Sequence, residues 1–246
     1  MSRLYYDFHV HSCLSPCAED ESTPQCLAGF GRLCGLSLMA LTDHNSCKNC
    51  PAFFQAAAAY GLVPIAGMEL ETAEEIHVVC LFETLAEAAA FDQAVAIRRR
   101  RIPNRRDIFG AQRVVDSEDC LLEEEPWLLA TATELSLQEV PALVSAYGGI
   151  CYPAHIDRTA NGILSILGTF PPEVPFRYAE LHSPTQAQHL LQQYPSLRDK
   201  RLLYGSDTHA AAMLPEATAY LELDVPTDDA AAVRKALFSA LREGKV

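Results

Sequence analysis

The sequence predicts an α/β fold, a barrel of mostly parallel strands that is closed or nearly closed. Three observations lead there. Short β-rich apolar runs alternate with longer helical ones along the chain. About seven such units fall within one domain's length, which favours a barrel over an open sheet. Hydrophobic residues make up 49% of the 246, ample for a buried core. A single domain spanning residues 1–246 is therefore expected, with an insertion at about 104–133.

The elements follow in order. YYDFHVH predicts a strand over 5–11. A helix over 23–34 has Ser22 or Thr23 as cap and Pro24 in its first turn. The run at 36–42 reads as a second strand, and an alanine-rich helix over 51–60 stops at Gly61. Strands over 62–70 and 76–82 precede a helix over 85–101, which Pro103 limits. Residues 104–133 break the rhythm with NRRDIFG and a polar stretch ending in Glu123-Glu124-Glu125-Pro126. They are expected to form a partly helical segment packed over the barrel mouth, as a lid. A helix over 137–147 ends at Gly148-Gly149. Strands over 149–154, 177–182, 201–205 and 219–223, with helices over 186–193 and 228–243, complete the set.

Net charge is −13 and the pI about 5.0. A nucleic-acid binder is usually basic, so the balance argues against duplex nucleic acid as partner and favours a small phosphorylated substrate. The local exceptions are Arg98-Arg99-Arg100-Arg101 and Arg105-Arg106, read first as a solvated helix end. No run of about 18 apolar residues suits a membrane span. MSRLYYDFHVHS lacks a leader's apolar core, so a cytoplasmic location is expected. Nine cysteines fit free thiols better than a disulfide framework. Cys13, Cys17, Cys47 and Cys50 form two spaced pairs, read as small buried thiols, with a four-thiolate metal site as the alternative.

Histidines gather at strand ends. His9 and His11 are two apart, so on a strand they share a face. Asp43-His44, Glu69, His155 and Asp207-x-His209 end or follow other strands, whose C-terminal ends share one mouth in a parallel barrel. His77 begins its strand and joins them only if that strand runs against the others. Imidazoles mixed with carboxylates suit zinc, manganese or iron. One catalytic metal uses about three protein ligands, so two or three divalent transition metals are expected. Asp43 is expected to orient a histidine rather than to bind metal.

The motifs FHVHS, LTDHN, GMELET, EEIHVV, YPAHID and GSDTH, taken together and in this order, resemble the PHP superfamily of polymerase and histidinol phosphatase domains. The resemblance implies a distorted seven-stranded (β/α) barrel, a trinuclear metal site in its mouth and phosphoesterase chemistry. It implies that His9, His11, Glu69 and Asp207 hold one metal, and that Glu69 bridges to a second held with His77 and His155. A third falls to His44, His209 and one residue of the loop SCLSPCAEDESTP, where Glu19 is expected, with Asp20 next and Cys17 behind it.

The expected reaction is metal-dependent hydrolysis of phosphate esters, of a small metabolite or short nucleotide, by a metal-activated water. Arg158, three residues after His155, is the first choice to grip the phosphate, and Arg105 and Arg106 the second. His182 is the candidate proton donor or substrate contact. The alternatives are an amidohydrolase-like metal enzyme acting on a carbon centre and a non-catalytic metal-binding regulatory module.

Overall fold

The computed structural model describes residues 2–246. Strand β1 (Ser2–Asp7) leads to helix α1 (Pro24–Leu33), then β2 (Leu38–Leu41), α2 (Cys50–Tyr60), β3 (Val63–Glu71), β4 (His77–Phe82) and α3 (Leu85–Ala96). A short helix α4 (Arg106–Phe109) and strands β5 (Arg113–Val115) and β6 (Leu121–Glu124) occupy the insertion. Next come α5 (Val140–Ala146), β7 (Ile150–Pro153), α6 (Ile163–Leu167), β8 (Tyr178–Leu181), α7 (Ala187–Gln193), β9 (Arg201–Tyr204), β10 (Tyr220–Leu223) and α8 (Ala230–Glu243).

Six strands form one curled, half-barrel sheet in the order β10-β1-β2-β3-β4-β7. It is parallel at β1–β2 and β2–β3, and antiparallel at β1–β10, β3–β4 and β4–β7. The expectation of a mostly parallel sheet is thus corrected. Strands β8 and β9 form a separate parallel pair, joined to the large sheet by isolated backbone bonds. Ile156 N–H donates to Glu180 O (2.8 Å), Asp207 N–H to His9 O (2.9 Å) and His11 N–H to Thr208 O (2.9 Å). Among the described residues no continuous seven-stranded ladder forms: β8 and β9 stay apart from the six-stranded sheet, and β10 pairs antiparallel with Ser2–Tyr5 of β1.

Strand β1 is shorter than expected because Asp7 ends it. Its carboxylate, rather than a neighbouring strand, accepts the His9 N–H (3.1 Å). Helix α3 opens with a Thr84/Glu87 capping box and ends at Ala96, short of 101. The chain then runs extended, with Arg99 bridging Thr133 and Pro103 bridging Trp127, which closes the insertion at its base. Arg113 N–H donates to Cys13 O (2.9 Å), Val115 N–H to Asn49 Oδ1 (3.0 Å) and Asn45 Nδ2 to Leu129 O (2.7 Å). These bonds lay the insertion across the loops that follow β1 and β2.

Alternation along the strands splits the core into two layers. Leu38, Ala40, Val63, Ile65, Val79 and Leu81 share one side with Val233, Leu237, Phe238 and Leu241 of α8. Met39, Leu41, Met68, Val78 and Phe82 face the other, against Leu27, Phe53 and Phe91. Helix α8 thus covers that side of the sheet, in contact with β3, β7 and β10. Among the described residues no helix is long and apolar enough to cross a membrane.

Candidate metal centre

Glu69, near the end of β3, is the hub. It is fully buried, and five imidazoles approach its carboxylate. Oε1 lies 3.1 Å from His9 Nε2, 2.8 Å from His77 Nδ1 and 3.0 Å from His155 Nε2. Oε2 lies 3.3 Å from His11 Nε2 and 3.0 Å from His44 Nδ1. Asp207 Oδ1 faces His11 Nε2 (3.2 Å) and His9 Nε2 (3.4 Å). Single ligand atoms lie within 4.8 Å of one another in three sets: His9, His11, Glu69 and Asp207; His44, Glu69 and His77; and His11, His44 and His209.

Three kinds of backbone deliver these groups. His9 and His11 sit on the extended chain past β1, and Val10 between them pairs with Thr208. Glu69 is on β3, all nine of whose residues are buried. His77 enters because β4 runs antiparallel to β3, with Glu71 opposite it, so the start of β4 lies at the mouth. His155 (φ 28°) and Asp207 (φ 53°) adopt left-handed backbone, which non-glycine residues rarely do and which is held here by the surrounding bonds.

The partners of the outer ring nitrogens fix the imidazoles. His9 Nδ1 donates to Glu180 Oε1 (2.7 Å), and Glu180 is itself fully buried in β8. The fit is tight at Gly205, where a Cβ would stand 2.5 Å from Glu180 Oε2 and 2.7 Å from His9 Cβ. Ser15 Oγ donates to Asp43 Oδ1 (2.7 Å), so it accepts from His11 Nδ1 (2.9 Å). Asp43 also takes Ser12 N–H and Ser12 Oγ, each at 2.7 Å, and thus orients His11 through Ser15. His209 Nδ1 donates to the Asp207 carbonyl (2.9 Å). In each ring Nε2 is left as the inward atom.

That arrangement fits divalent cations. His9 Nε2 and His11 Nε2 face each other at 3.2 Å and cannot both carry protons. Glu69 Oε2, Asp207 Oδ1 and His44 Nδ1 are buried without a hydrogen-bond partner, a costly state that cations would relieve. Burial alone would raise Glu69, but His77, His9 and His44 hold it well below the usual carboxylate range. Burial likewise opposes protonation of His9, yet Glu180, Glu69 and Asp207 lift it well above an ordinary imidazole. Protons and metal ions therefore compete for the same nitrogens.

Arg158 and His182 stand at the rim. Arg158 Nη1 hydrogen-bonds Asp207 Oδ2, and Nη2 lies 3.3 Å from His182 Nδ1. Asp157 accepts the His182 and Ser183 N–H groups at 2.9 and 2.8 Å and fixes that loop. Arg105 pairs with Asp107 and Arg106 with Glu124, so neither reaches the cluster. Glu19 and Asp20 are exposed and stand in none of the three sets. Cys17, in the same loop, is exposed and also stands in none of the three sets; burial would raise its thiol, but the imidazoles of His209 and His44 bring it down to about 5. Cys13, Cys47 and Cys50 are buried free thiols, and Cys47 and Cys50 point at Gly67 O rather than at Cys17.

Comparison with known proteins agrees with this picture. The PHP domain model matches residues 7–161. The fold is similar to endonuclease Q from Pyrococcus furiosus, a lesion-specific endonuclease (TM-score 0.64, 17% identity), over 97% of this chain and 56% of that one. The chain thus spans little more than half of that protein. Endonuclease Q in complex with a 27-mer duplex bearing an abasic lesion is similar too (TM-score 0.62, 17% identity, 97% and 57% covered). So is a protein from Bifidobacterium adolescentis described as a metal-dependent phosphoesterase (TM-score 0.60, 18% identity, 94% and 95% covered). No curated protein matches by sequence. The expected exclusion of duplex nucleic acid is overturned, because a chain of this fold has been seen holding duplex DNA. Net charge was the wrong guide: it averages the whole surface, whereas binding depends on the local field at the site.

Proposed function

The chain belongs to the PHP domain family, whose members are metal-dependent hydrolases, and from that membership we propose that it hydrolyses phosphate esters. The observation that carries the reading is Glu69, one buried carboxylate with five imidazoles around its two oxygens. His9, His11, Glu69 and Asp207 would hold one metal, Glu69, His77 and His155 a second, and His44 with His209 a third. Bound there, divalent metals such as zinc, manganese or iron supply water activation and charge neutralisation at a phosphoryl group.

The chain's own residues do the rest. Glu180 and the Asp43–Ser15 pair keep the His9 and His11 rings aimed inward, so the cage is set before substrate arrives. Arg158 is partly exposed beside Asp207, and its free N–H groups are placed to take phosphoryl oxygens. His182, held against Arg158, is positioned to give a proton to the departing oxygen. The substrate proposed is the phosphate ester of a small metabolite or a short nucleotide.

The test is a hydrolysis screen with metal-loaded protein over phosphate monoesters, short nucleotides, an abasic-site duplex and a panel of amides. Phosphate-ester cleavage that disappears on chelation and in His11→Ala is expected. Turnover of amides alone, or none with every metal tried, would overturn the proposal.

A further inference from the structure

The insertion leaves an apolar hollow open beside the imidazole cage. Pro16, Cys17, Ile108, Phe109, Gly110 and Ala130 line a cavity of about 370 Å³. Both of its walls are tied to the histidines. On one side, Ser15 Oγ accepts from His11 Nδ1 (2.9 Å) and from the His44 N–H (3.1 Å), and Glu19 N–H donates to the His209 carbonyl (2.9 Å). Pro16 and Cys17 lie on the stretch between these anchors. On the other side, Asn45, next to His44, donates to the carbonyls of Leu129 (2.7 Å) and Thr131 (2.9 Å), which flank Ala130.

The tip of α4 is fixed against this hollow. Ile108 N–H and Phe109 N–H each donate to Arg105 O (2.8 Å), and Asn104 Nδ2 donates to Gly110 O (3.0 Å). Gly110 has φ 82°, and a Cβ there would stand 3.1 Å from Pro16 O, so glycine lets α4 lie this close to the loop. Yet Ile108 and Phe109 stay 59% and 42% exposed. Large apolar side chains held uncovered at the edge of a buried polar centre suit a ligand's apolar part. The neighbouring cations are spent, Arg105 on Asp107 and Arg106 on Glu124. All the lining residues but Cys17 lack a polar side-chain atom. Arg158, on Asp207, marks a separate and cationic part of the rim. Resting on the phosphate-ester reading above, we propose that this hollow is the specificity pocket for the alcohol part of the ester, and that it takes a flat apolar ring seated against Phe109. A cavity of this size holds one such ring, and a ring face or edge pairs well with phenylalanine.

The test measures, by calorimetry, the binding of two phosphonates that cannot be hydrolysed to the metal-loaded full chain. Benzylphosphonate carries a ring, with a CH₂ group in place of the ester oxygen, and methylphosphonate carries none. The wild-type protein is expected to bind benzylphosphonate about 10-fold more tightly, the effect of taking part of one ring out of water. Phe109→Ala is expected to bind the two about equally, and Phe109→Tyr to keep the preference. Methylphosphonate binding, beside circular dichroism, reports whether each variant is folded. Equal affinities in the wild type, a preference that survives Phe109→Ala, or a loss of both ligands alike in folded Phe109→Ala overturns the pocket and leaves the phosphate-ester reading standing. The predicted preference, with no ester cleaved in the screen above, overturns that reading and leaves the pocket. A loaded chain that binds neither phosphonate overturns both.

Discussion

Glu180 meets only one imidazole of the cluster, that of His9, yet its removal is expected to weaken the whole centre. Its Oε1 takes the His9 Nδ1 proton at 2.7 Å and the His155 N–H at 3.1 Å, both fully out of solvent. Two changes separate its charge from its shape. Glu180→Gln keeps an acceptor near His9 but removes the negative charge that makes the inward nitrogen a better donor. Glu180→Leu removes the acceptor too and leaves the His155 N–H unpaired. Losing such a partner of a ligating histidine costs about 10- to 100-fold in metal affinity, or about 1.4–2.8 kcal/mol. Gln is expected near the lower figure and Leu near the upper, with an added loss of about 1–3 kcal/mol in folding stability for Leu. Zinc affinity is read by competition with a chromophoric chelator, beside circular dichroism to confirm folding. Wild-type affinity in folded Glu180→Leu would refute the idea that this carboxylate tunes the centre.

Other perturbations follow from the same geometry. Asp43→Ala strands three buried donors, Ser12 N–H, Ser12 Oγ and Ser15 Oγ, and is expected to cost at least about 3 kcal/mol by chemical denaturation. Burial pushes the Asp7 carboxyl up to about 6 despite its bonds from Ser206 and His9. An acid raised on folding opposes folding once ionised, so its penalty is absent below about pH 4 and complete above about pH 6. Asp7→Asn, in chelator-treated protein, is therefore expected to gain roughly 3 kcal/mol at pH 7 and nothing near pH 3.5, measured by denaturant titration at both pH values. Arg158→Ala is expected to lower kcat/KM for a phosphate ester by about 10- to 100-fold with metal content unchanged, as a charged hydrogen bond to the phosphoryl group requires.

Most of the candidate ligands were legible because each follows a strand as a short motif, and the i, i+2 spacing of His9 and His11 forced them to one side. His77 was legible as an exception. Only residues 72–76 separate β3 from β4, too few for a parallel crossover, so the antiparallel turn that brings His77 to the mouth was readable from loop length. Strand order at the other edge was not. Nothing local says that β10 would pair antiparallel with the start of β1. The helix over 85–101 was overextended because an arginine run has good helix propensity, whereas the Arg99–Thr133 bridge is a tertiary contact. Glu180 left one unused signal, a lone acid within the otherwise apolar β8. Ser15 left none, since its role depends on a distant Asp43. The loop after β1 is not readable by residue counting, because it turns back on itself, with Ser15 N–H on Ser12 O and Ala18 N–H on Ser15 O.

The most direct measurement is anomalous diffraction from crystals of the zinc- or manganese-loaded protein, collected above and below the metal edge. Two or more anomalous peaks are expected within the imidazole cage, with the Glu69 carboxylate shared between two of them. Peaks confined to the surface, or a Glu69 carboxylate in contact with no metal, would show that the buried histidines and acids meet for some other purpose.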